Sequence, residues 1–174
     1  MTKEQRKLLK MRAIEMAKEQ ETTLNTTSSE DVIVFSLASE SYGIESEFVR
    51  EVYPLKVFTS LPGLPSHILG IINVRGLIHP IVDLKKFFNL PVTGLGELNK
   101  VIIIWNDEME FGILADEVIG MKMINMEELL PVSSIMKGIG EKYLKGVTND
   151  RLIVLSAEKL LSDKNIVINE SVNQ

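Results

Sequence analysis

His67, His79 and the carboxylate of Asp83 are the residues whose types could hold a metal. Two histidines and one carboxylate with open positions make a site for iron, and the same side chains also bind zinc. His79 and Asp83 stand four apart on a strand-like run, so a period of two puts them on one face. His67 belongs to the turn Pro65-Ser66-His67, and nothing in the spacing carries it to the other two. A small metalloenzyme is therefore the weaker reading. Acidic neighbours offer another source of chemistry at Asp116-Glu117 and Glu127-Glu128. Acid–base catalysis needs both carboxyls aimed at one substrate. Adjacent residues face opposite ways on a strand and sit ~100° apart on a helix, so neither pair qualifies. There is no Gly-x-Ser-x-Gly elbow, no P-loop and no Gly-x-Gly-x-x-Gly. Gly94-Leu95-Gly96 and Gly138-Ile139-Gly140 read as turns. The expectation is no catalytic residue, no cofactor and no metal.

Polar residues set in apolar context point elsewhere. Arg75 stands at the tip of a run that reads as a hairpin, with Asn73 two residues before it and Gly76 beside it. Glu51 interrupts Val49-Arg50-Glu51-Val52-Tyr53, an otherwise half-buried pattern. Asn73 and Gly76 are turn formers, and Arg75 and Glu51 have the charges to pair with each other or to face solvent. Arg75 reads as a recognition residue, because arginine is enriched at the energetic centres of interfaces.

The elements that must position these residues are mostly strands. Ile71-Ile72-Asn73-Val74-Arg75-Gly76-Leu77-Ile78-His79-Pro80-Ile81-Val82 has two apolar runs around a polar centre, with Gly76 free to take positive φ. Pro80 has no N–H for a ladder, so an edge or a bulge is expected there. Val32 to Leu37 reads as a strand, and Glu40-Ser41 as a turn before Tyr42-Gly43-Ile44. Short β-branched runs broken by Gly, Pro, Asn or Asp continue along the chain, as in a barrel or sandwich.

After a Gly/Pro-containing connection over 89–99 the pattern starts again. Val101 to Trp105 corresponds to Val32 to Leu37, and Phe111-Gly112-Ile113 to Tyr42-Gly43-Ile44. Tyr143-Leu144-Lys145-Gly146 echoes His67-Ile68-Leu69-Gly70, and Leu152 to Leu155 echoes His79 to Val82. The period is about 70 residues. A unit of ~60 residues is marginal alone, so the two copies should share a core in one mainly β body with a groove between lobes.

Residues 3–21 read as a helix, with apolar Leu9, Ala13 and Met16 on an imperfect stripe and Leu8, Met11 and Ile14 elsewhere around it. Thr22 to Ser29 reads as a linker. Ile166-Val167-Ile168 could add a short strand, and the last residues are expected to fray. The organisation is thus 1–30 helix and linker, 31–161 body (first lobe about 31–90, second about 100–161), and 162–174 tail. The net charge of −5 opposes bulk nucleic-acid binding, which needs clustered Lys and Arg. Residues 1–21 carry six Lys/Arg and four Asp/Glu, a mixed and solvated helix rather than a membrane anchor. The absence of cysteine suits a reducing cytosol, and the charged start gives no secretion signal.

Taken together, Tyr42-Gly43-Ile44, Val49-x-Glu51-Val52, Leu61-Pro62-x-x-Pro65 and Ile68-x-Gly70-Ile71-Ile72-Asn73-Val74-Arg75-Gly76-x-Ile78-x-Pro80-Ile81-Val82-Asp83-Leu84 resemble the CheW-like domain family. Phe111-Gly112-Ile113-x-x-Asp116-x-Val118 and Tyr143-Leu144-x-Gly146 extend the resemblance over residues 32–161. Val74 stands where Leu is usual, His79 where an apolar residue is usual, and the N-terminal helix is an extension that some members have. The resemblance implies two intertwined five-stranded SH3-like β-barrel lobes with short helices. It implies a cytoplasmic, non-catalytic adaptor that couples the cytoplasmic tips of methyl-accepting chemoreceptors to the histidine kinase CheA, through the kinase's C-terminal regulatory domain. Such a protein meets the inner membrane only indirectly, within receptor arrays. The matching positions imply partner contact at Val49, Glu51, Gly70, Asn73, Val74, Arg75 and Gly76. A regulatory module of a larger signalling protein is the alternative.

Overall fold

The computed structural model describes residues 3–24, 28–132 and 138–167. Helix α1 (Lys3–Leu24) is followed by β1 (Ser29–Leu37), β2 (Glu40–Glu45), β3 (Val49–Pro54), β4 (Ile68–Val74) and β5 (Leu77–Val82). A short α2 (Leu84–Phe87) leads to β6 (Lys100–Trp105), β7 (Glu110–Ala115), β8 (Glu117–Asn125), β9 (Leu144–Val147), β10 (Ile153–Leu155) and α3 (Ala157–Ser162). The first helix outruns its expected end and takes in Thr22 and Thr23, since extending a formed helix costs little compared with starting one.

The strands form two five-stranded sheets, ordered β8-β1-β2-β10-β9 and β3-β6-β7-β5-β4. The sheets do not follow the halves 31–90 and 100–161. Each takes the first two strands of one copy and the last three of the other, so the copies are swapped through each other. The pairings repeat as the sequence does. β5 runs parallel to β7 with Ile81 against Gly112, and β10 runs parallel to β2 with Val154 against Gly43.

Three local expectations change. The β1–β2 turn is Ala38-Ser39, not Glu40-Ser41, because Glu40 and Ser41 already pair with Leu37 and Ser36. The main-chain N–H of Ala38 donates to Asp116 Oδ2 at 2.8 Å, which fixes that turn against the second repeat. Ile166 lies in a turn rather than a strand and is fully buried, while Ile168 and the end of the tail fall outside the described residues. Pro80 sits within an interior strand without breaking a ladder. Its partner Ile71 exchanges both backbone bonds with Thr59, so this register position of β5 turns its N–H side away from β4. The ladder to β7 begins only at Ile81.

One cluster of buried side chains runs through both sheets, from Phe35, Tyr42 and Ile44 to Val82, Ile102 and Ile113 and on to Tyr143 and Leu155. Each sheet also wraps a smaller interior of its own, around Ile72, Ile81 and Ile103 in one and Val32, Ile124 and Val154 in the other. A shared core explains how two units of marginal size hold together.

Candidate binding site

β3 and β4 are opposite edges of their sheet, yet Arg75 Nε at the end of β4 lies 3.2 Å from Glu51 Oε2 on β3. Thr59, beyond the end of β3, exchanges two 2.9 Å backbone bonds with Ile71 of β4. The sheet is therefore rolled into a barrel, and the ion pair marks its closing seam. Gly70 is what allows the approach. A Cβ there would stand 2.3 Å from the Thr59 carbonyl oxygen, closer than any side chain tolerates.

The hairpin tip is built for display. Arg75 and Gly76 both take positive φ, 54° and 84°, as the central pair of a type I′ turn does. Asn73 Oδ1 accepts the N–H of Gly76 at 2.9 Å and locks the turn. The Arg75 side chain is left 82 % exposed while Glu51 is only 25 % exposed. A bulge between Val49 and Glu51, opposite β6, sends Arg50 outward. Arg50 Nε meets Glu110 Oε1 at 2.6 Å, and its guanidinium lies 4.6 Å over the Trp105 ring.

Of the seven expected residues, Glu51, Asn73, Arg75 and Gly76 gather at this corner. Val74 points into the barrel, 2 % exposed, and Gly70 is buried, so both shape the corner from inside. Val49 lies apart, half-buried against the shared core, as are Ile33, Phe48, Val52 and Val118, which together form the apolar seam between the sheets. A groove between lobes was expected, but the residues of this apolar seam other than Val49, and the Arg50–Trp105 stack, escaped sequence reading. Both depend on non-local pairing, which the order of residues along the chain does not reveal.

The metal triad does not assemble. His67 Nε2 bonds the carbonyl of Ile166 at 2.9 Å, and His79 Nδ1 faces Glu110 at 3.9 Å. Asp83 is the N-cap of α2, not a strand residue, and its Oδ1 accepts the N–H of Lys85 at 3.0 Å. Among the described residues no three His, Cys, Asp or Glu converge as metal ligands. His67 instead matches Tyr143 in the other repeat. Their carbonyls accept the N–H of the two helix caps, Asp83 and Ser156, each at 2.7 Å. The acidic pair at 116–117 is also accounted for, because Asp116 takes the buried ammonium of Lys85.

The second barrel closes in the same way. Lys122 on edge strand β8 pairs with Asp150 in the turn after β9, and Leu130 bridges Val147 through two backbone bonds. The Lys122 ammonium, helped by the Thr148 hydroxyl, holds the Asp150 carboxyl down to about 2. No helix among the described residues is long and apolar enough to cross a membrane.

A family model described as the CheW-like domain matches residues 31–165. The chain is 30 % identical over 142 residues to a chemotaxis protein CheW of Treponema pallidum, covering 78 % of this chain and 84 % of that one. It is 27 % identical over 147 residues to the chemotaxis protein CheW of Bacillus subtilis, covering 84 % and 86 %. The crystal structure of the scaffolding protein TtCheW from Thermoanaerobacter tengcongensis superposes with a TM-score of 0.64 at 29 % identity, over 73 % of this chain and 82 % of that one.

Proposed function

This chain belongs to the CheW-like domain family of chemotaxis adaptors, and from that premise we propose that it is a non-catalytic scaffold coupling chemoreceptors to the histidine kinase CheA. The observation that carries the reading is the division of the surface into two kinds of contact. One is apolar: Ile33, Phe48, Val49, Val52 and Val118 are half-buried against the core that the two sheets share. The other is a rigid polar corner built on Arg75 and Glu51. An apolar seam between barrels suits one face of a helix, as the cytoplasmic tip of a receptor offers. The polar corner suits a folded partner such as the regulatory domain of the kinase, since arginine on a locked turn loses little freedom on binding. Each contact is small, so assembly would depend on several engaged at once.

Co-purification with a receptor cytoplasmic fragment and the CheA regulatory domain tests the reading, with kinase activity scored in the presence and absence of the chain. Arg75→Ala is expected to weaken binding to one partner roughly tenfold while thermal unfolding stays unchanged. Unaltered affinity for both partners would make Arg75 a structural residue.

A further inference from the structure

We infer that α1 is a tethered strap whose docking surface is the outward face of β8. That face carries an uncovered apolar row: Ile119, Met121 and Met123 are 60, 64 and 64 % exposed. Ile124, one residue out of phase, is buried, so Met121 and Met123 share the outward side of the strand, and a bulge opposite Val34 and Phe35 leaves Ile119 unpaired at the far end of the row. Met121 pairs with Ile33 and Met123 with Asp31, which places the row next to the seam residue Ile33. The corresponding strand β3 exposes nothing similar; Val49, Val52 and Tyr53 are half-buried and Pro54 ends it.

The occupant follows from where the chain enters the body. Ser29 pairs with Asn125, and the Met126 N–H donates to the Ser28 carbonyl at 2.9 Å, so α1 is tethered at the end of β8. Residues 25–28 reach at most ~14 Å. Folded back along β8, Ile14, Met11 and Leu8 lie ~15, ~20 and ~24 Å from Leu24. Met123, Met121 and Ile119 lie ~7, ~13 and ~20 Å from Asn125. The tether's slack covers the offset, and the two apolar rows come into register.

The helix also needs such a surface. Leu8, Leu9, Met11 and Ile14 are 56 to 61 % exposed on it, and helices in proteins draw most of their stability from packing apolar side chains. Charge agrees. Arg6, Lys7, Lys10 and Arg12 outnumber Glu4 in this part of α1, while Asp31 and Glu117 flank the row on a body that is acidic overall. The consequence for receptors rests on the proposed function: a docked strap would restrict the neighbouring seam, and a released one would open it.

The chain has no cysteine, which makes the test direct. The full-length double variant Met11→Cys/Met121→Cys, alone in solution with oxidised glutathione, should form an intramolecular disulfide in a monomer. The yield should exceed that of Met11→Cys/Val57→Cys, placed on the other barrel, at least tenfold. Equal yields, no disulfide, or intermolecular dimers alone would overturn the proposal, the last pointing to a second copy as occupant. In parallel, Met121→Asp/Met123→Asp should speed amide exchange over residues 8–14 about tenfold, and unchanged exchange would also overturn it. Neither measurement contains a receptor or a kinase, so failure here leaves the coupling reading intact. Receptor-fragment binding by the oxidised variant then reads the consequence separately.

Discussion

In the barrel that includes β3, the closing ion pair sets Glu51 on the edge strand and Arg75 on the turn; in its counterpart, Lys122 is on the strand and Asp150 on the turn. Beneath these pairs the backbone repeats itself. Gly70 lies against Thr59, and Gly146 against Leu129 and Leu130, each where a returning segment bridges the far edge. The helix caps Asp83 and Ser156 donate to carbonyls at matching positions. What both repeats keep is what closing a barrel demands. What they reverse or drop is free of that demand, so the exchanged charges, the Arg50–Trp105 stack on one lobe and the exposed methionines on the other are where the two lobes differ in what they display.

The comparison breaks first if the shared features are not equally necessary. Ile81 and Val154 occupy equivalent places beside the parallel crossings, and both are fully buried. Ile81→Ala should cost about 3 kcal/mol and Val154→Ala about 2 kcal/mol by denaturant unfolding, in one cooperative transition because the core is shared. Two separate transitions would mean that the barrels fold independently. Gly70→Ala should cost about 3 kcal/mol or more, since its methyl would strike a backbone oxygen. Gly146→Ala should cost less, about 2 kcal/mol, because a Cβ there would stand 2.8 Å from Leu129 Cβ and 2.9 Å from the Leu130 oxygen. Equal tolerance of alanine at both would show that closure is loose.

The divergent features are sharpened by exchanging charges. Glu51→Arg with Arg75→Glu keeps a closing pair but reverses what the corner displays. Binding to the partner it serves should fall about tenfold, with stability within ~0.5 kcal/mol of the parent. Lys122→Asp with Asp150→Lys makes the same exchange on the other barrel and should leave that binding unchanged. If both exchanges weaken binding alike, the corner is not a specific contact and long-range charge is the cause.

Much of this was legible along the chain because it is local. The hairpin with Arg75 and Gly76 at its tip needed only a turn signal between apolar runs, and the duplication showed in recurring apolar runs and in the glycine matches Gly43 with Gly112 and Gly70 with Gly146. The swap of strands between repeats was not legible as such, because a repeat boundary in sequence says nothing about which copy pairs with which. The partner of His67 was hidden for the same reason. Its bond to Ile166 spans 99 residues, and its likeness to Tyr143 in carrying a helix cap shows only once both caps are in place. Glu40-Ser41 looked like a turn because it is polar, but Ala38 takes positive φ beside the Asp116 carboxylate, a contact across the two repeats.

The smallest expected effect concerns how each repeat holds the C-terminal segment, His67 through the Ile166 carbonyl and Tyr143 through the Asp163 carboxylate. Burial pushes the Asp163 carboxyl up, but hydrogen bonds from Lys142 and Tyr143 outweigh it and hold it at about 2. A carboxyl held below its unfolded value adds stability above that value and loses it as pH falls through the folded one. The Asp163 contribution should therefore be complete above about pH 4 and fade towards pH 2. Asp163→Asn should lower the Tm by ~2 °C at pH 6, and the difference should vanish near the acid limit. Ile166 is fully buried and carries no titrating group, so the Tm lost in Ile166→Ala should show no such convergence in acid. A parallel fall of both curves would mean that the segment is held by Ile166 packing alone, and that the two anchors differ in name rather than in physics.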